Sequence, residues 1–334
     1  MLYFAIDKKK IMKKKYIHIL GEGNTPIIRS KYIAKELGIK NLWLKNEGLN
    51  PSGSFKDRES VYVFNRLKRQ NVKKSVSIAS SGNAAISACL YGKHFDVEVH
   101  CIVSEKIAQE KRELIQLLGG ILHVIPGYYK ESYEWLVQNP ISNAINITSG
   151  QYYGRELGNV PLLNEIYSDG VLADIIVMPV GNGSLLSGVF KGLEKLKKEG
   201  CIKKYPQLIG VEVMNFAPVA EAIRQGRDSI EIKERPISIA DAGMAAQKAY
   251  CSEKCIAALK ATNGKIVEIE EESILPALYD LLQEGIFVEP SSACVIAALR
   301  KLNKERCLPD GNIVSILTGS GQKMSKKLLK ITTT

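Results

Sequence analysis

The chain reads as an α/β protein: two open, twisted sheets flanked by helices. Three observations predict it. Short valine- and isoleucine-rich runs alternate with amphipathic stretches, several of these runs end in polar or glycine-rich turns, and 334 residues suffice for two lobes around sizeable cores.

The elements follow in order. A turn, Gly21-Glu-Gly-Asn-Thr-Pro26, precedes an expected helix at 30–37 and a strand at 41–45. Next comes Asn50-Pro-Ser-Gly-Ser-Phe-Lys-Asp-Arg58, where Pro51 and Gly53 make a turn and Ser52 or Ser54 is a candidate cap. Val61, Phe64 and Leu67 lie on one face of a helix starting near Phe55, which puts Lys56 in its first turn. A lysine amine held as free base attacks aldehydes such as pyridoxal phosphate to give a Schiff base; the plain alternative is a capped helix with a solvated lysine. A strand at 75–79 then runs through Ser80-Ser-Gly-Asn83 into a small-residue helix at 84–91. Strand, polar turn and helix form an anion seat, because unpaired amides at a helix start point outward.

Strands at 97–103, 121–125 and 143–148 alternate with helices at 108–118 and 128–136, which argues for a parallel sheet. The loop Ser149-Gly-Gln-Tyr-Tyr-Gly-Arg155 carries a fork-shaped cation. An apolar strand at 174–179 leads through Gly181-Asn-Gly-Ser-Leu185 into a helix at 186–198, a second anion seat in which glycines admit a phosphate to the backbone. It is neither a Walker sequence nor a dinucleotide fingerprint. Strands at 208–213, 264–269 and 312–317 and helices at 252–260, 271–284 and 293–302 complete the chain. Glu289 has two readings, a place near a bound ligand and the favoured structural place before a Ser291 or Ser292 cap, and the last strand ends in Thr318-Gly-Ser-Gly321. A cleft between the two sheets is expected.

Composition removes other classes. The net charge is +11, but the lysines are spread out and cluster only at 8–10, 13–15 and near the end, the pattern of solvated basic ends and not of a nucleic-acid face. A basic surface suits anionic small molecules. No apolar run is long enough to span a membrane, and residues 1–16 lack the centre of a signal peptide, so a cytoplasmic protein is expected. Residues 1–15 read as a disordered basic leader, with Met12 an alternative start. Of seven cysteines only Cys251 and Cys255 lie close together, and the four histidines fall outside any motif; no metal site and no histidine triad are expected.

Taken together, Gly-Glu-Gly-Asn-Thr-Pro, Asn-Pro-Ser-Gly-Ser-Phe-Lys-Asp-Arg, Pro-Val-Gly-Asn and Leu-Thr-Gly-x-Gly resemble the tryptophan-synthase-like (tryptophan synthase beta-like, fold type II) pyridoxal phosphate enzymes, and among them the short-chain threonine synthases. The resemblance runs from Gly21 to about Lys323. It implies that Lys56 bonds pyridoxal 5'-phosphate and moves substrate protons, that Asn83 meets the ring hydroxyl, and that Thr318 faces the pyridine nitrogen. It further implies a cofactor-phosphate seat at Gly181, Asn182, Gly183, Ser184 and Leu185, and a substrate carboxylate seat at Ser80, Ser81 and Gly82. Arg155 would read an anionic leaving group. The implied domains are a larger cofactor-binding one (16–50 with 155–330) and a smaller mobile one (51–154), in a homodimer that binds a small amino-acid substrate. Glu59 stands where threonine synthases usually carry glycine, Ser81 replaces a common threonine, and Leu185 replaces an asparagine that helps to hold substrate phosphate. The expected activity is elimination and replacement on an activated, O-phosphorylated amino acid. The alternatives are a β-replacing or eliminating relative (cysteine- or cysteate-synthase-like, diaminopropionate-forming, or a serine/threonine dehydratase) and a non-catalytic cofactor binder.

Overall fold

The computed structural model describes residues 19–71, 75–214, 216–231, 238–240 and 250–333. The expected leader at 1–15 lies outside them. Among the described residues, strands β1 (Ile27–Arg29) and β2 (Asn41–Asn46) are followed by β3 (Ser75–Ser80), β4 (Val99–Ser104), β5 (Ile121–Ile125) and β6 (Ala144–Asn146). The chain then gives β7 (Ile175–Pro179), β8 (Gln207–Val213), β9 (Lys265–Ile269) and β10 (Asn312–Leu317). They form a six-stranded sheet of order β1-β2-β10-β7-β8-β9 and a four-stranded sheet of order β5-β4-β3-β6. Every ladder is parallel except that of β1 on β2. The central strands explain why: Ile313, Val314, Ile316 and Leu317 of β10 and Ile176, Val177 and Met178 of β7 are all buried, the continuous apolar run of a strand covered by helices on both faces.

In parallel sheets the functional loops collect at the carboxyl ends of the strands. Here β3 ends at Ser80 and runs into the helix Asn83–Phe95, β7 ends at Pro179 before the helix Ser184–Lys198, and β10 ends at Leu317 before Thr318. The helix Lys56–Arg69 is fastened to that last end by Phe55 N–H on Thr318 O (3.1 Å) and Ser320 N–H on Gly53 O (2.9 Å). Its start differs from expectation, since neither Ser52 nor Ser54 caps it. Asp57 Oδ2 instead accepts from Ser52 N–H at 2.6 Å, so an acidic first turn complements the helix dipole. Likewise neither Ser291 nor Ser292 caps the helix Pro290–Lys304, which opens with proline at its first position, where a missing N–H costs nothing.

A buried ion network sets the angle of the Lys56 helix. Arg58 donates to Glu47 (Nε–Oε2 2.6 Å, Nη2–Oε1 2.9 Å) and to Glu165 (Nη1–Oε1 2.6 Å, Nη2–Oε2 2.7 Å). Lys45 Nζ donates to Glu165 Oε2 (2.9 Å) and Thr25 O (2.6 Å), and Thr25 Oγ1 to Glu47 Oε1 (2.6 Å). Two cations thus meet two carboxylates, all nearly or wholly buried. Burial alone would raise both carboxyls, but the Arg58 guanidinium, joined by Lys45, outweighs it; Glu47 is lowered and Glu165 is held down to about 2.

Removing one member of such a network leaves charge buried and unpaired. Arg58→Met is expected to lose about 3–5 kcal/mol at neutral pH in urea unfolding. Because the carboxyls are depressed, the stability they contribute is present above the ordinary carboxylate range and lost as pH falls through their folded values. The gap between wild type and Arg58→Met should therefore shrink from pH 5 towards pH about 2; a gap independent of pH would mean the network contributes nothing through its charges.

Candidate active site

Lys56 projects from the first turn of its helix into a pocket that also receives the ends of β3, β7 and β10. Of the residues singled out in the sequence, Lys56, Ser80, Ser81, Asn83, Gly181, Asn182, Gly183, Ser184, Leu185 and Thr318 all line this one pocket. Gly82 and Arg155 do not. Gly82 lies behind the wall, with φ of +115°, where a Cβ would stand 2.5 Å from Lys111 Cδ. It forms the sharp corner that presents the Asn83 helix end-on, while Ser80 Oγ accepts from Gly82 N–H (3.0 Å) and Ala85 N–H (3.2 Å).

The second helix start is built in the same way. Gly183, with φ of +78°, precedes Ser184, and a Cβ there would lie 2.8 Å from Cys255 Cβ and 2.9 Å from Cys251 O. The flanking glycines, Gly82 and Gly183, supply no side-chain cap; in the Asn83 helix Ser80 Oγ takes the first-turn Ala85 N–H, and both helix starts line the pocket. Leu185 contributes an apolar wall. Thr318 Oγ1 lies 3.0 Å from Ser292 Oγ, which in turn accepts from Gly319 N–H at 2.9 Å.

Lys56 is hemmed in. Its Nζ lies 3.0 Å from Glu59 Oε2 and 3.3 Å from Ser184 Oγ, and 4.2 Å from the centre of the Phe55 ring. Burial pushes the amine below an ordinary lysine, Glu59 opposes this, and Arg155 adds to it. Arg155 is 1% exposed; Nε donates to Glu59 Oε2 (2.9 Å) and Nη1 to Ile147 O (2.8 Å). Its partner is therefore Glu59, not the neighbouring Glu156 or Glu165 that a surface arginine would use.

Several residues of the pocket carry no sequence signal of their own. Tyr129 and Ser149 line it, and Asn182 Nδ2 donates to the Tyr129 hydroxyl at 3.1 Å. Glu289 stands directly before the helix Pro290–Lys304, and its side chain reaches the pocket residue Asn83. Buried, it accepts from Asn83 Nδ2 at 2.7 Å and pairs with Lys111 at 3.1 Å. A carboxylate only accepts, so this contact fixes the orientation of the Asn83 amide. Burial alone would raise the Glu289 carboxyl, but Lys111 and Lys323 outweigh it and lower it; Lys323 is itself pushed down to about 8 by burial, against the pull of Glu289. Around the pocket, Asn83 Oδ1, Asn182 Oδ1 and Ser149 Oγ are buried without a hydrogen-bond partner. Native interiors rarely leave such atoms unpaired except where a ligand binds. Among the described residues no cluster of potential ligands holds a metal, and no helix is long and apolar enough to cross a membrane.

Comparison with known proteins agrees with this geometry. The family described as "Pyridoxal-phosphate dependent enzyme" matches residues 19–319. The chain is 31% identical to the threonine synthase of Methanocaldococcus jannaschii over 322 residues, which is 95% of this chain and 78% of that protein. It is equally 31% identical to the threonine synthase of Halalkalibacterium halodurans, over 91% of this chain and 84% of the other. Similar solved structures include a fungal L-serine ammonia-lyase from Rhizomucor miehei (TM-score 0.78, 20% identity, 92% of this chain and 97% of that one). Another is threonine deaminase isoform 2 from Solanum lycopersicum (TM-score 0.77, 23% identity, 92% and 87%). At these identities the structures speak for the fold alone. The match across both sheets and the relatives above 30% identity lead to one conclusion: this chain belongs to the family of pyridoxal-phosphate-dependent enzymes, with the fold type II architecture.

Proposed function

We propose that the protein is a threonine-synthase-like enzyme that removes a leaving group from an activated amino acid, O-phosphorylated in the leading form, and adds water or another nucleophile in its place. The observation that carries this reading is the convergence on one pocket of a lysine, two glycine-led helix starts and a neutral hydroxyl at Thr318. The residues fit the cofactor. Gly183, at a positive φ, turns the chain into the Ser184 helix, whose start lines the pocket as a seat for a phosphate, and the unpaired polar atoms of Asn83 and Asn182 offer partners to a polar ring. Bound there, pyridoxal phosphate supplies an electron sink for charge left on a substrate carbon.

Lys56 Nζ would hold the cofactor through its aldehyde, and the same amine would take and return substrate protons. Ser80, Ser81 and the amides of the Asn83 helix bind the substrate carboxylate, and Ser184 Oγ, 3.3 Å from Nζ, steadies the amine between proton transfers. Thr318 offers the pyridine nitrogen a hydroxyl and not a carboxylate, which disfavours transamination and leaves elimination and replacement. In this reading 16–50 with 155–330 hold the cofactor, 51–154 closes over the substrate, and the enzyme works as a cytoplasmic homodimer.

A second reading, elimination from an uncharged β-hydroxy amino acid, is favoured by one observation: two of the three donor nitrogens of Arg155 are engaged within the protein, and Arg155 does not line the pocket. Phosphohomoserine, phosphoserine, O-acetylserine, serine and threonine, assayed for released phosphate, keto acid and amino-acid product, separate the two. The leading form expects kcat/KM for a phosphorylated substrate to exceed that for serine by on the order of a hundredfold or more. Higher values for serine or threonine with release of ammonia would establish the second reading.

Two variants test the shared chemistry. Wild type loaded with pyridoxal phosphate should absorb in the visible and Lys56→Ala should not; a colourless wild type that ignores the added cofactor would sink both readings. Thr318→Ser keeps the hydroxyl and should cost little activity, whereas Thr318→Asp should depress elimination while raising transamination as a side reaction. Equal losses in both would reduce Thr318 to a packing residue.

A further inference from the structure

Two buried charges beneath the pocket are chained to the half-buried lysine in it: Lys56 Nζ lies 3.0 Å from Glu59 Oε2, and Arg155 Nε donates to the same Oε2 at 2.9 Å. The other oxygen of Glu59 accepts from Asn159 Nδ2 at 3.1 Å. Glu59 has no exposure at all, and Arg155 and Asn159 both belong to the short helix Arg155–Asn159, which nothing in the proposed chemistry requires. A carboxylate buried to this depth survives only if it is paired and hydrogen-bonded, and here two cations and the Asn159 amide surround it.

We propose that Glu59 is the counter-ion that sets the charge of Lys56, and that Arg155 is a positioning residue that serves Glu59 and not the substrate. Arg155 aims one donor at Glu59 and a second at Ile147 O, so the guanidinium is oriented by the protein before any substrate arrives. Burial alone would raise the Glu59 carboxyl, but Lys56 and Arg155 together hold it down to about 2, so it stays ionised throughout the working range. A fixed anion beside Nζ favours the ammonium, while the guanidinium behind it favours the free amine. Among the described residues, the other ionisable group acting on Lys56 is Cys251, from the helix Tyr250–Ala261. The amine is thus poised by two opposed charges at fixed distances. The pairing is chain-specific: without a carboxylate at 59 the same arginine would be a buried cation in need of another anion.

The two charges act on Lys56 with opposite signs, and this separates the proposal from a structural role. The rate at which the full-length apoprotein acquires its visible band on addition of pyridoxal phosphate depends on the free-amine fraction of Lys56, so its pH profile reads that group. Glu59→Gln should move the midpoint of the profile to lower pH and Arg155→Gln to higher pH; Glu59→Asp, which keeps the charge, should return it towards wild type. If Arg155→Gln does not fold, Glu59→Gln against Glu59→Asp carries the same comparison. Shifts in the same direction, or unchanged midpoints with lowered thermal stability, would overturn the proposal. Its second arm is substrate selectivity: Arg155→Gln should leave the ratio of kcat/KM for phosphoserine over serine within about twofold of wild type. A loss of tenfold or more confined to the phosphorylated substrate would return Arg155 to the role of anion reader. The loading profile does not depend on which substrate is turned over, so its failure is distinguishable from failure of the proposed function.

Discussion

The position of Lys56 depends on charges that cannot be left unpaired. Arg58, two residues further on, is buried between Glu47 and Glu165, and Lys45 closes the set. The desolvation of four ionised groups is offset only when every donor and acceptor meets a partner, which leaves the helix Lys56–Arg69 little freedom of angle or register. Glu47 follows β2, Glu165 lies in the helix Val160–Ser168, and Thr25 precedes β1. One guanidinium therefore ties two separate stretches, those of Glu47 and Glu165, to the helix that presents the lysine, and Thr25 joins through Glu47 and Lys45.

On that anchorage the site is assembled from backbone as much as from side chains. Helix starts after β3 and β7 come to the same pocket, and glycine at 82 and 183 permits the positive φ of those sharp entries. Two anion seats at either side of a lysine suit a phosphorylated cofactor and a substrate carboxylate together. The fold supplies the geometry because parallel strands deliver their carboxyl ends to one side.

Beneath the pocket, charge is arranged to act on the lysine from outside its walls. Glu59 and Arg155 touch neither the pocket nor solvent, yet each lies within interaction range of Nζ. The carboxylate of Glu289 plays a comparable part for Asn83, whose amide it orients while Lys111 and Lys323 balance its charge. Both arrangements concentrate ionised groups where the dielectric is low, which is where charge most strongly affects protonation.

The sequence by itself determined the alternation of strands and helices, because apolar periodicity and turn residues are local properties. The expected strands at 121–125 and 312–317 coincide with β5 and β10, and the turns at 80–83 and 181–185 sit at helix starts as read. The sequence likewise singled out Lys56, Asn83 and Thr318, whose motifs are contiguous. Tertiary structure alone decided the pairings between distant residues. Arg155 meets Glu59 across 96 positions and Asn83 meets Glu289 across 206, and no spacing rule links such positions. Tyr129 and Ser149 enter the pocket in the same way, from elements whose own sequences are ordinary. Burial decided the rest, since a glutamate reads as a solvated charge until the fold removes its water and obliges it to find a cation.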